Sequence, residues 1–253
     1  MPEPTQALSY IEVDGARAAT VVRPVIAETP WVLYVDRREL LTFMCSPVGL
    51  HHLALGFLVS EGIIAGLHDV WQLKVYLDED CVYMYFPEAG LEGELRMPTC
   101  EQATGSIDVR LRRPMASRPE RRILTSGCGG GLTFDDLSGD RPPLHSDLRV
   151  SAAQIGALMH QLNRNAVLYR TSRGVHASAL ADTEQLLVQA EDVGRHNTLD
   201  KIRGACLLRA LPTCGHILLS SGRISSEMIT KARKMDVPIV VSRTCLLYTS
   251  RCV

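Results

Sequence analysis

One cysteine, Cys128, stands among four glycines in the stretch ILTSGCGGGL (residues 123–132), where Gly127, Gly129, Gly130 and Gly131 surround it. Glycine in an ordered segment costs conformational entropy, so a run this dense marks a tight turn, a linker, or a place of close backbone approach. A thiol in such a loop is sterically open, and N–H donors or arginines nearby favour its thiolate. That thiolate is suited to act as a nucleophile or as a carrier of transferable sulfur. An incidental exposed cysteine is the weaker reading, because such thiols invite oxidation.

Two further turns carry polar groups and glycine: EDVGRHN (residues 191–197) and SSGRISSE (residues 220–227). Each follows an apolar run and precedes a helical pattern. Helix N-termini expose N–H donors and the positive end of the helix dipole, which suits phosphate or another anion. Arg195, His196, Lys201 and Arg223 would add charge there, and Ser221 and Ser225 hydroxyls. The same groups serve equally well to cap helices and to pair with Asp192, Asp200 and Glu227. His196 lies in the polar turn and is the better acid–base candidate; His176, in GVHASA, reads as a core histidine.

The elements that must hold these turns alternate. WVLYVD (31–36) and ELLTFMC (39–45) form a hairpin pattern around two arginines. A helix follows, with Ser46 placed to cap it and Pro47 in its first turn. WQLKVYL and CVYMYF read as a second strand pair, and SIDVRLRR as another strand. The pattern breaks near PMASRPE (114–120), so we expect an N-terminal α+β subdomain over residues 1–118 and an α/β domain over 119–243. The second part runs RILTS, the glycine loop, a helix with a capping box (Ser151 with Gln154), a strand pair around Asp182 and Thr183, a helix from HNTLDK, and then strand, helix and strand. That order predicts a partly parallel sheet, whose ligands sit beyond the carboxyl ends of its strands. The turns after RILTS, LLVQA and HILL occupy such positions.

Composition narrows the class. The chain has 253 residues, 46% of them hydrophobic, and a formal net charge of −1 from 27 basic and 28 acidic side chains. This suits one large or two smaller globular domains and offers no global basis for nucleic-acid binding. The arginines at 110, 112, 113, 118, 121 and 122 read as a solvated strand and loop. No membrane-length apolar run and no N-terminal signal pattern occurs, so a soluble, cytoplasmic protein is expected. Eight cysteines show no C-x-x-C spacing, hence no zinc knuckle, no dithiol motif and no expected metal.

The segments LTFMCSPVGLHHLALGFLVSEGII, LTSGCGGG, GVHASALA, EDVGRHNTLDKIRGA and ILLSSGRISSEMITKARKMDVPIVVSR together resemble the FdhD family of formate dehydrogenase accessory proteins. The resemblance runs from about residue 28 to 243. It implies a sulfurtransferase-type carrier: a cysteine desulfurase loads sulfur onto a loop cysteine as a persulfide. The sulfur then passes to the bis-molybdopterin guanine dinucleotide cofactor, holding Mo or W, before insertion into the formate dehydrogenase apoenzyme. It also implies a homodimer and a cytidine-deaminase-like three-layer α/β/α C-terminal domain. Cys128 matches the persulfide position. Gly127 and Gly129 would let the cofactor approach the sulfur, with Arg195, His196, Lys201, Ser221, Arg223 and Ser225 as its contacts.

Two departures stand out. Many members carry a second loop cysteine as C-x-x-C, where this chain has Gly131. Members also continue past VVSR with a helix, a strand and a G-F-x-R-like segment, whereas residues 244–253 (TCLLYTSRCV) form an atypical tail expected to pack poorly. The alternative to a carrier is a cofactor-binding chaperone without sulfur transfer. A zinc hydrolase of the deaminase type fits badly, because His176 is followed by Ala177 and Ser178 with no glutamate in place and no C-x-x-C.

Overall fold

The computed structural model describes residues 3–77, 80–86, 93–98, 105–115, 123–124, 132–133 and 143–247. Strands β1 (Thr5–Asp14) and β2 (Arg17–Ile26) form an antiparallel ribbon that the sequence reading did not anticipate. Its side chains are mostly exposed, so it lacks the strict in–out alternation that marks a half-buried strand.

The anticipated hairpin is β3 (Thr29–Val35) with β4 (Arg38–Cys45). Its two-residue turn puts Asp36 and Arg37 at positive φ, the geometry that matches the twist of the flanking strands. The Asp36 carboxylate accepts from the Leu111 and Met115 N–H groups, which ties the turn to the end of the neighbouring strand Ser106–Leu111. With β5 (Val70–Tyr76), β6 (Asp80–Tyr85), β7 (Gly93–Pro98) and β8 (Ser106–Leu111), the order is β4-β3-β8-β5-β6-β7. Only β3–β8 is parallel. Helix α1 (Leu50–Ser60) packs against this sheet, with Leu50, Leu53, Phe57 and Leu58 buried as their spacing predicts.

Ser46 does not cap α1. The helix starts at Leu50 behind Gly49, which adopts φ 60°, and the buried Ser46 is drawn to the other unit of the fold. There its N–H donates to Asp192, and its hydroxyl accepts from the Val193 N–H.

The short strands β9 (Ile123–Leu124) and β10 (Leu132–Thr133) pair antiparallel. Cys128, Gly127 and Gly129 fall between them in the sequence and lie outside the described residues. The expected division at residue 118 likewise falls outside them.

The C-terminal unit comprises α2 (Ala152–Asn165), α3 (Val167–Ser172), β11 (His176–Ala181), β12 (Leu186–Asp192), α4 (Arg195–Leu208), β13 (Ile217–Ser220), α5 (Ser226–Lys234) and β14 (Ile239–Ser242). The sheet order is β12-β11-β13-β14, with β13–β14 parallel across α5. The capping box is present: Ser151 Oγ accepts from Gln154 N–H at 3.2 Å, and Gln154 accepts from Ser151 N–H at 2.9 Å. One face of the sheet packs Leu180, Val188 and Leu218 under α4 and α5; the other packs Ala177, Ala179 and Leu219 under α2.

The two units meet where α1 crosses α4. A Cβ on Gly56 would fall 1.8 Å from the Asp200 carbonyl oxygen, and one on Gly204 would fall 2.0 Å from that of His52. Only glycine lets the backbones come this close.

Candidate functional site

The strand pairing brings two of the three singled-out turns together. His176 pairs with Asp192, Ser178 with Ser220, and Ser220 with Ser242, so the start of β11 and the ends of β12, β13 and β14 share one rim of the sheet. Hydrogen bonds lock the rim. Ser221 N–H donates to the Ala177 carbonyl at 2.8 Å, and Ser221 Oγ accepts from Ala177 N–H at 2.9 Å. Ser242 Oγ donates to the Gly222 carbonyl at 2.7 Å. A Cβ on Gly222 would lie 3.1 Å from His176 Nδ1 and 3.2 Å from Arg195 Cβ, so the turn closes directly over these two side chains.

The rim divides its predicted contacts between inside and outside. Arg195 is 1% exposed, and His196, Ser221 and Ser225 are also buried; Arg223 reaches solvent. Ser225 caps α5, accepting from Met228 N–H at 3.4 Å. Its Oγ also lies 3.1 Å from His196 Nε2, and Glu227 lies 3.4 Å from the same nitrogen. Burial, then Lys231, Arg195 and His176, lower the His196 pKa to about 3. His196 is therefore a neutral hydrogen-bonding group, and the expectation that it adds positive charge is corrected. Desolvation outweighs the carboxylate at 3.4 Å. His176 is lowered as well, first by burial and then by Arg195.

Lys201 is corrected more strongly. It is 3% exposed, and its ammonium donates to Asp192, to the Ser46 carbonyl at 3.1 Å and to the Glu191 carbonyl at 3.3 Å. An ammonium has three N–H donors, so none remains for a ligand. Lys201 joins α4 to the loop ahead of α1 instead of contacting an anion. Lys231 is similarly committed, donating to both Asp200 oxygens at 2.8 and 2.6 Å. Burial alone would lower its pKa, but Asp200, Glu227 and Glu61 outweigh it and raise the value. Sequence inspection found the acidic partners but could not tell which lysine they would claim.

Two of the buried thiols, Cys45 and Cys206, are held protonated. Burial and then Asp192 push the Cys45 thiol far up, and burial raises Cys206 to about 11. Cys214 and Cys245 are exposed. The described residues contain no group of three or more His, Cys, Asp or Glu side chains placed to hold a metal. They also contain no helix long and apolar enough to cross a membrane. The arginine cluster is partly neutralised: Arg110 pairs with Asp108 at 2.8 Å, and Arg112 donates to the Phe86 carbonyl. A cavity of about 290 Å³ that the sequence did not suggest opens between the units, lined by Val48, His52, Glu191, Lys201 and Arg209 among others.

The tail pairs more than expected. Ile224 N–H donates to the Cys245 carbonyl, and Leu247 N–H to that of Ile224, while Leu246 remains 59% exposed. Residues 248–253 lie outside the described set.

A profile of the FdhD/NarQ family matches residues 26–250. A protein of Bacillus pumilus named sulfur carrier protein FdhD is 34% identical over 226 residues, covering 87% of this chain and 76% of its own. A protein of the same name from Halalkalibacterium halodurans is 34% identical over 224 residues, covering 87% and 75%. A crystal structure assigned to a formate dehydrogenase accessory protein of Desulfotalea psychrophila superposes with a TM-score of 0.68 at 21% identity, over 99% of this chain and 87% of the other, and shares the fold.

Proposed function

Because the chain belongs to the FdhD/NarQ family, we propose that it is a sulfur carrier whose working atom is the Cys128 sulfur. A cysteine desulfurase supplies the sulfur as a persulfide. The Cys128 thiolate attacks the outer sulfur, the donor's S–S bond breaks, and the donor cysteine leaves as a thiolate. Cys128 then holds the persulfide and delivers its sulfur to the bis-molybdopterin guanine dinucleotide cofactor of a formate dehydrogenase. The protein works as a cytoplasmic homodimer, and its C-terminal unit is read as a member of the cytidine-deaminase-like folds. The family membership together with Cys128 in LTSGCGGG carries this reading.

Several features support it. The buried thiols Cys45 and Cys206 are held protonated, which leaves them no part in such chemistry. Helix N-termini and the exposed Arg223 meet at the rim, where cofactor phosphates would find donors, with Arg195, Ser221 and Ser225 buried behind it. Neutral His196 would donate or accept a hydrogen bond there without adding charge.

The test is intact-protein mass spectrometry after incubation with a cysteine desulfurase and cysteine. One added sulfur, removed by reductant and absent in Cys128→Ala, is the expected result. An equal gain in Cys128→Ala would overturn the assignment. No gain in folded protein that still binds GDP would favour a chaperone that holds the cofactor without moving sulfur, the reading that Gly131 in place of a second loop cysteine invites.

A further inference from the structure

The four-stranded sheet leaves its outer strand uncovered, since β12 pairs only with β11. Ala177 turns both its backbone groups toward Ser221 and so away from β12. Its cross-strand partner Glu191 therefore directs its own N–H and C=O outward, and Gln189, on the same register of the strand, does likewise. Lys201 meets the Glu191 carbonyl at 3.3 Å. The Gln189 N–H and C=O and the Glu191 N–H have no partner among the described residues.

The cavity between the units lies along this edge. Val188 and Ala190 belong to the sheet face under α4, and Gln189 and Glu191 to the other face, yet all four line it. Inside, Gln189 Oε1 is buried without a hydrogen-bond partner. Burial first, then His51, Arg209 and Lys201, lower the His52 pKa to about 3, so its ring offers a hydrogen bond and no charge. Charge sits at the two ends instead. Helix α4 leaves β12 through a tight turn and runs back along it. Lys201 meets Glu191, and Arg209 stands about 12 Å farther along the helix, toward the Val188 end. Arg209 is exposed and makes no ion pair among the described residues. Asp192 neutralises Lys201, which leaves the Glu191 carboxylate as the charge at the other end, where Leu168 and Tyr169 N–H groups hold it.

An extended peptide satisfies each of these features. Added to a sheet edge, it takes main-chain hydrogen bonds from that edge. Arg209 attracts a terminal carboxylate and Glu191 repels it, which sets the added chain antiparallel to β12. Val48, Leu168 and Ala205 offer apolar walls for small side chains. Three strand steps from Glu191 to Val188 span about 10 Å, room for roughly three residues. We infer that the cavity along the free edge of β12 receives the carboxyl-terminal residues of a partner polypeptide, paired with Gln189 and with the terminal carboxylate at Arg209. Its occupancy requires nothing of Cys128.

The test is calorimetric titration of the full-length protein with the peptide acetyl-Val-Ala-Val as the free acid and, separately, as the carboxyl-terminal amide. Wild type should bind the acid roughly tenfold or more tightly than the amide. Arg209→Gln should remove that preference, and Arg209→Lys should keep part of it. Strand pairing supplies a second readout, because only alternate amides of an added strand face β12. Moving a single N-methyl group from one residue of the peptide to the next should therefore alternate between loss and retention of binding. Replacing the acetyl group by a free amine should leave the affinity little changed. No binding of the acid by wild type, equal binding of acid and amide, an unchanged preference in folded Arg209→Gln, or a uniform effect of all N-methyl positions overturns the inference. A gain of roughly tenfold or more from the free amine also overturns it, since the site would then select free short peptides through Glu191.

Discussion

Asp192 accepts hydrogen bonds from the N–H groups of Ser46 and Gly194, from the Asn197 amide and from Lys201. Removing one member of a buried ion pair costs about 3–5 kcal/mol, because the other is left uncompensated. Asp192→Ala strands the ammonium and three N–H donors and should reach that range. Lys201→Met leaves the carboxylate three donors and should cost less. Urea titration of both variants gives the ranking, and equal losses would show that the backbone donors contribute nothing. His196 makes a pH prediction. Its folded pKa is about 3 against an ordinary 6.5, so below pH 6.5 the unfolded chain takes up a proton that the folded chain refuses. Its contribution to stability is whole above pH 6.5 and declines as pH falls toward 3, by about 1.4 kcal/mol per unit. His196→Gln should flatten the fall in unfolding free energy on the acid side of pH 6.5. A slope identical to wild type would contradict the burial argument.

At the scale of elements, glycines divide into those the packing demands and those it does not. Gly56→Ala should push α1 from α4, because its Cβ would fall on backbone, the Asp200 carbonyl and the Gly204 nitrogen, and should cost about 1–3 kcal/mol or more. Gly156 lies in α2 with nothing within 4 Å of an added Cβ, so Gly156→Ala should stabilise the protein by roughly 0.5–1 kcal/mol. Thermal unfolding of the two variants should move in opposite directions. The same periodic pattern that reveals a helix says nothing about this difference. The hairpin of β3 and β4, the capping box of α2 and the strand pair β11–β12 were legible because each is decided by residues close together in the chain. The ribbon β1–β2 escaped because neither of its faces is buried in the fold, and burial is what writes a two-residue period into a strand. Ser46 misled for a related reason. A serine ahead of an apolar run has the right chemistry for a cap, but Asp192, 146 residues away, claims its N–H.

Across the whole molecule, the α1–α4 contact and the Ser46–Asp192–Lys201 bridge should make the two units unfold together. Both tryptophans, Trp31 and Trp71, lie in the first unit, whereas four of the five α-helices among the described residues lie in the second. Tryptophan fluorescence and helical circular dichroism should therefore report one coincident transition in wild type. Gly204→Val, which blocks the close approach, should separate them; two transitions in wild type would show the units to be independent. The sequence by itself determined the alternation of elements, the one cysteine set among glycines, and a motif set specific enough to identify the family. Those are properties of order and spacing along the chain. Only the tertiary structure decided that Lys201 is spent on a bridge, that His196 is neutral, and that the free edge of β12 and Arg209 line one cavity. Charge state and availability depend on burial and on which partner arrives through space, and neither is written in the distance between two residues along a chain.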